Sequence, residues 1–149
     1  MEDLSRALKS HPFLADLAPE HLAFLSACAR NTRFRSGEYL MREGDREDQL
    51  YLIRHGTVTI EMPAPGRDPV CLETIGPGDV LGVSCLATTA AHLDCRARET
   101  VVAIALDNAC LHSKMNEDPR LGYALSMRLL ERTYERLTRA RLQRLDVYR

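Results

Sequence analysis

Long apolar runs are missing. No stretch of the 149 residues approaches the ~20 consecutive apolar side chains that a bilayer crossing needs, so a helical membrane span is not expected. The opening Met1-Glu2-Asp3-Leu4-Ser5 lacks the basic and then apolar regions of a secretory signal, which reads as a cytoplasmic protein. Cys-x-x-Cys spacing is absent among Cys28, Cys71, Cys85, Cys95 and Cys110. An odd number of widely spaced thiols in such a chain is expected to stay free and to pack as small apolar residues, with no disulfide framework or zinc site. His-x-His is absent too. His11, His21, His55, His92 and His112 fall in unrelated segments, so no metal is expected. Lysine is scarce, two residues against 18 arginines, so an arginine at any one position carries little information.

What remains is ordinary globular composition: 45% apolar, 28% charged, net charge −1. The length suits a single domain over 1–149. The near-zero charge hides an asymmetry. From Arg120 to Arg149 there are eight arginines against Glu131, Glu135 and Asp146, a net +5. The rest carries 12 basic and 18 acidic residues, a net −6.

Three regimes follow one another. Residues 1–31 read as short helices. Leu4, Ala7 and Leu8 share a face, His11-Pro12 breaks the pattern, and Pro19 opens a second helix with Leu22, Leu25 and Cys28 on its apolar side. Residues 32–107 read as a β-roll, punctuated by glycines 37, 44, 56, 66, 76 and 78. Leu50–Ile53 and Thr57–Ile60 flank Arg54-His55-Gly56, a hairpin signal. Met62–Gly66 reads as a loop, and Val101–Leu106 as a buried strand. Residues 108–149 read as terminal helices. Asp118 is a suitable N-cap and Pro119 suits the first helical position. From there to about Val147 a helix of roughly 28 residues would run roughly 40 Å, long enough to project beyond the roll. Tyr123, Met127, Leu130, Tyr134 and Leu137 form a heptad-like stripe. The stripe either covers its own roll or seams a homodimer, and self-association is the favoured reading.

Phe34–Asp45, Leu50–Val58 and Ile75–Gly82, followed by the long helix, together are similar to the cyclic-nucleotide-binding domain of the catabolite-activator type. Phe34–Asp45 resembles that family's opening strands and turn. Leu50–Val58 resembles its next hairpin, and Ile75–Gly82 the start of its phosphate-binding cassette. The three pieces come in the family's order, followed by the long helix. The resemblance implies a fold that is mainly β with flanking helices. It would comprise a double-stranded β-helix (jelly-roll) β-roll, short N-terminal helices and a long C-terminal dimerisation helix. It implies a regulatory module, not an enzyme, with cyclic AMP or cyclic GMP as the ligand class. The family reads DNA with a helix-turn-helix after this helix. Here the chain stops at Tyr148-Arg149, so a stand-alone module without a DNA-binding domain is expected.

The resemblance also implies site residues. A short helix after Gly82 would aim its N–H groups at a cyclic phosphate. The family's ribose-binding glutamate falls at Val83, whose side chain cannot accept a hydrogen bond. Its phosphate arginine falls near Ala91 or His92. His92 and Arg96 are the nearest substitutes, and Asp94 shares a face with His92 if the segment is a strand. Ser84 is a ligand donor or a cap. Cys85 is a helix-terminal thiol or, more simply, a packed small residue. Thr133 and Tyr134 fall where the family touches a base, although Tyr134 also suits a dimer seam. Arg128, Arg132, Arg136 and Arg139 share one helix face. That face is a surface for nucleic acid or an acidic partner, a solvated face, or one neutralised by the acidic roll of this or another chain, and the first is disfavoured. The expected function is a receptor for a cyclic nucleotide or other small anionic ligand that signals through the terminal helix. Rivals are a pseudo-receptor that binds a partner protein, a redox sensor using Cys71, Cys85 or Cys95, and a cupin-like metalloprotein using Glu38, Glu43, His55, Glu61 and Glu73.

Overall fold

A computed structural model describes residues 4–46, 48–87, 91 and 93–147. The order is α1 (Leu4–Ser10), a 3₁₀ turn (Pro12–Leu14), α2 (Pro19–Ser26), β1 (Ala29–Phe34), β2 (Tyr39–Met41), β3 (Gln49–His55), β4 (Val58–Met62), β5 (Val70–Ile75), β6 (Val80–Leu81), α3 (Ser84–Ala87), β7 (Asp94–Ala97), β8 (Val101–Asp107), α4 (Asn108–Glu117) and α5 (Pro119–Val147). The strands form two four-stranded antiparallel sheets, β1-β8-β3-β6 and β2-β7-β4-β5. This is the expected jelly roll with short leading helices and a long terminal one.

Two cores explain the apolar runs. In β3, Leu50 and Leu52 face the helices while Tyr51 and Ile53 face the roll interior. In β8, Ile104 and Leu106 face the helices while Val101, Ala103 and Ala105 face inward. Both strands are covered on both faces, so neither shows the alternation of a half-exposed strand.

The hairpin expected across Arg54-His55-Gly56 does not form. β3 pairs with β6 and β8, whereas β4 pairs with β5 and β7 in the opposite sheet. Gly56, at φ +89°, carries the chain from one sheet to the other. Short strands either side of a glycine turn satisfy a hairpin pattern and a sheet crossing equally, because both need the same local bend.

The cysteines also depart from expectation. Cys28 and Cys110 form a disulfide, with Cα atoms 5.5 Å apart. Cys28 precedes β1 and Cys110 lies in the first turn of α4. The β1–β8 pairing, Ala29 opposite Leu106, brings their 82-residue separation to contact. Cys71, exposed, and Cys95, buried, take no part in a disulfide.

His11 closes the 3₁₀ turn beneath the roll. Its Nδ1 accepts from the Phe13 N–H at 3.2 Å and its Nε2–H donates to the Ile53 carbonyl at 2.8 Å, so the ring is neutral. Burial holds its pKa below the ordinary 6.5. The Ile53 carbonyl opposes that shift, Arg132 and Arg54 reinforce it, and Asp79 opposes it. The unfolded chain therefore binds this proton at a higher pH than the folded one. Stability from His11 is complete above pH ~6.5 and declines as pH falls from there toward the depressed value. His11→Gln is expected to be less stable at pH 7.5, by about 1 kcal/mol for the altered cap. It should also lose less stability than wild type between pH 7.5 and 5.5. Parallel urea midpoints across that range would refute the assignment.

The long helix forms as expected. Asp118 Oδ1 accepts from the N–H groups of Arg120 and Leu121 at 3.1 and 3.3 Å. Leu121, Leu125 and Leu129 step by four and are buried against the helix-side core. The stripe of Tyr123, Met127, Leu130, Tyr134 and Leu137 lies elsewhere on the helix and is exposed. Leu137, at its outer end, also faces a cleft against its own roll, whereas Tyr123, Leu130 and Tyr134 are the most exposed of the five.

Candidate functional site

A cleft of about 560 Å³ opens between the roll and α5. Gly82, Val83 and Ser84 form one end, where β6 passes into α3. Gly82 has φ +100°, which turns the chain sharply there. Ile60 and Cys95 rise from the inner face of the second sheet, and Thr133, Arg136 and Leu137 close the cleft from the helix.

Gly82, Val83, Ser84 and Thr133 are thus brought together as the sequence suggested. Val83 packs its methyls against the helix-side core, so an apolar residue at this position serves the fold as well as the cleft. His92 and the side chain of Cys85 lie outside the described residues. The other candidates do not line the cleft. Ala91 is buried, and its backbone is tied to the β2–β3 turn: its N–H donates to the Asp45 carbonyl at 2.7 Å and its carbonyl accepts from Gly44 at 2.9 Å. Asp94 is buried and accepts from the Glu43 N–H at 2.8 Å. Arg96 donates to Glu61 Oε2 at 2.7 Å and lies near the Tyr39 ring. The register accounts for both. Val58↔Ala97 and Ile60↔Cys95 face the roll interior, so Thr59↔Arg96 and Glu61↔Asp94 face away from it. Tyr134 belongs to the exposed stripe and is absent from the cleft wall of its own chain.

The basic helix face is neither solvated nor open to nucleic acid along most of its length. Arg128 Nη1 donates to the Phe13 carbonyl at 3.1 Å. Arg132 Nη1 donates to Asp79 Oδ1 at 2.6 Å and to the Gly78 carbonyl at 3.2 Å. Arg136 grips Glu73 with two bonds, 2.9 and 3.2 Å, and donates to the Val80 carbonyl at 3.1 Å. Arg139 comes within 3.8 Å of Glu73. The acidic roll of the same chain neutralises the face, one of the readings left open. These charge-assisted, bidentate contacts fasten α5 along the segment that leads into the cleft.

Ile60 and Leu93 were not singled out, Glu73 was named only as a metal-ligand candidate, and Arg136 only as part of the basic helix face. A signal for Arg136 existed. Arg132 and Arg136 stand three and seven residues after Leu129, on the helix side that Leu121, Leu125 and Leu129 press against the roll.

The sequence model of the cyclic nucleotide-binding domain matches residues 31–118. The chain belongs to this family. It is 27% identical over 109 residues to cGMP-dependent protein kinase, isozyme 2 forms cD5/T2, of Drosophila melanogaster, covering 70% of this chain but 12% of that protein. The domain therefore spans a small fraction of such kinases. In structure it is similar to a putative cyclic nucleotide-binding protein of Geobacter metallireducens GS-15, with TM-score 0.79 and 24% identity, covering 92% of this chain and 99% of that one. It is also similar to the catabolite activator protein of Thermus thermophilus, with TM-score 0.71 and 24% identity over 92% and 62% of the two chains. Both likenesses concern the fold. Among the described residues, no helix is long and apolar enough to cross a membrane.

Proposed function

We propose that this domain is a non-catalytic, ligand-sensing regulatory module. A small anionic ligand in the cleft would change how α5 sits on the roll, and the helix would pass that change to a second copy. One observation carries the reading: the cleft has one wall from the roll, at Gly82–Ser84, and the other from α5, at Thr133, Arg136 and Leu137. Whatever fills it touches both bodies and favours the arrangement it fits better. Cyclic AMP and cyclic GMP are the first ligands to test, given the family and the kinases named above. A homodimer through the exposed stripe and a cytoplasmic setting complete the proposal. In that setting the Cys28–Cys110 bond would face a reducing thiol pool.

Purified protein, denatured, is expected to release a small anion that mass spectrometry detects. Adding that anion back to stripped protein is expected to slow amide exchange along residues 128–140 by about tenfold. Stripped protein that takes up neither that anion nor cyclic AMP nor cyclic GMP in calorimetry would overturn the receptor reading.

A further inference from the structure

The cleft does not end at Arg136. A second chamber of about 510 Å³ lies between β5 and the outer part of α5, and shares Ile60, Glu73, Leu93 and Arg136 with the first. The Glu73–Arg136 pair lines both, so the two chambers adjoin along the helix.

The two ends differ in chemistry. The inner chamber is walled largely by Met41, Ile60, Leu81, Val83, Leu93 and Leu137. Among its described lining residues, Arg136 is the sole cation, and Glu73 already holds it with both oxygens. A phosphodiester placed deep there would lose its water, and none of the described lining residues offers it an unengaged cation, which is costly. The outer chamber has the opposite balance. Arg136 and Arg139 share the single carboxylate of Glu73, leaving a local charge of +1, with Thr74 and Gln143 beside them. An apolar interior with one excess cation at its mouth suits a ligand built the same way.

We infer that the two adjoining chambers take an elongated apolar molecule carrying one carboxylate, its chain in the inner chamber and its carboxylate at Arg139, beside the Glu73–Arg136 pair. This rests on the receptor reading and narrows its ligand class.

The probe is decanoate, titrated calorimetrically into the full chain, with decanol as its neutral counterpart. Decanoate is expected to bind at one site, about tenfold more tightly than decanol. Arg139→Gln should remove most of that difference, Arg144→Gln should leave it unchanged, and Leu93→Trp should weaken both molecules by filling the inner chamber. Urea midpoints near wild type would show that the variants fold. Equal binding of decanoate and decanol, or no effect of Arg139→Gln, would overturn the inference. So would binding lost in Leu130→Asp but kept in Leu93→Trp, which would place the probe on the exposed stripe. Micromolar binding of cyclic AMP without binding of decanoate overturns the ligand class and leaves the receptor reading standing. Decanoate binding that leaves amide exchange along 128–140 unchanged supports the ligand class and counts against the receptor reading.

Discussion

Gly56→Ala is expected to destabilise the domain by roughly 3–5 kcal/mol, a large share of the ~5–15 kcal/mol that holds a domain of this size together. Two costs combine. At φ +89° an L side chain is strained, worth about 1–2 kcal/mol. A Cβ there would also lie 2.3 Å from the Thr100 carbonyl oxygen and 2.9 Å from the Val101 Cα. Both are backbone atoms, so no rotamer change relieves the contact. The start of β8 would have to move, and Val101 and Ala103 are fully buried in the roll core. Gly37 separates the two costs. Its φ is +92°, and nothing lies within 4 Å of its added Cβ. Gly37→Ala should therefore show the backbone cost alone, about 1–2 kcal/mol. Urea unfolding of the two variants decides the matter, and equal losses would show that the close approach to Thr100 is unimportant.

The second large effect is expected at Leu130, where the wild type should sediment as a dimer and Leu130→Asp as a monomer. Tyr123, Leu130 and Tyr134 are 70%, 61% and 62% exposed along one side of a helix that is otherwise well buried near its start. With Met127 and Leu137 they step by four, three, four and three, which matches a coiled-coil seam. A carboxylate at the centre of such a seam, facing its own copy, leaves unpaired charge buried. That costs about 3–5 kcal/mol, or roughly a thousandfold in dissociation constant. The adjacent residue supplies the contrast. Leu129 is 6% exposed and packs in the helix-side core, so Leu129→Asp should lower the unfolding midpoint rather than only the assembly state. A wild type that sediments as a monomer, or a Leu130→Asp that remains a dimer, would refute the seam.

The candidate site was legible in part, and the division has a reason. Gly82, Val83, Ser84 and Thr133, candidates because the family resemblance places contacts at these positions, line one cleft. Arg96 and Asp94 were misplaced because strand alternation leaves two faces open, and only the pairing with β4 chooses between them. Tyr134 was ambiguous from its spacing, and burial assigns it to the stripe.

By itself the sequence determined the regular elements: the break at Pro12, the helix start at Pro19, the capped start of α5 at Asp118, the buried run of β8 and the heptad stripe. Each is written within a few neighbouring residues, where propensity, capping and periodicity act. Only the tertiary structure decided that Gly56 crosses between sheets and that Cys28 meets Cys110 across 82 residues. It alone decided that Arg132 and Arg136 close on Asp79 and Glu73 across 53 and 63. Partners so distant are chosen by which faces the two sheets bury, and local pattern holds no record of that choice. At Arg132 and Arg136 the basic helix that looked like a surface for another molecule is the fastening of this domain's own helix to its own roll.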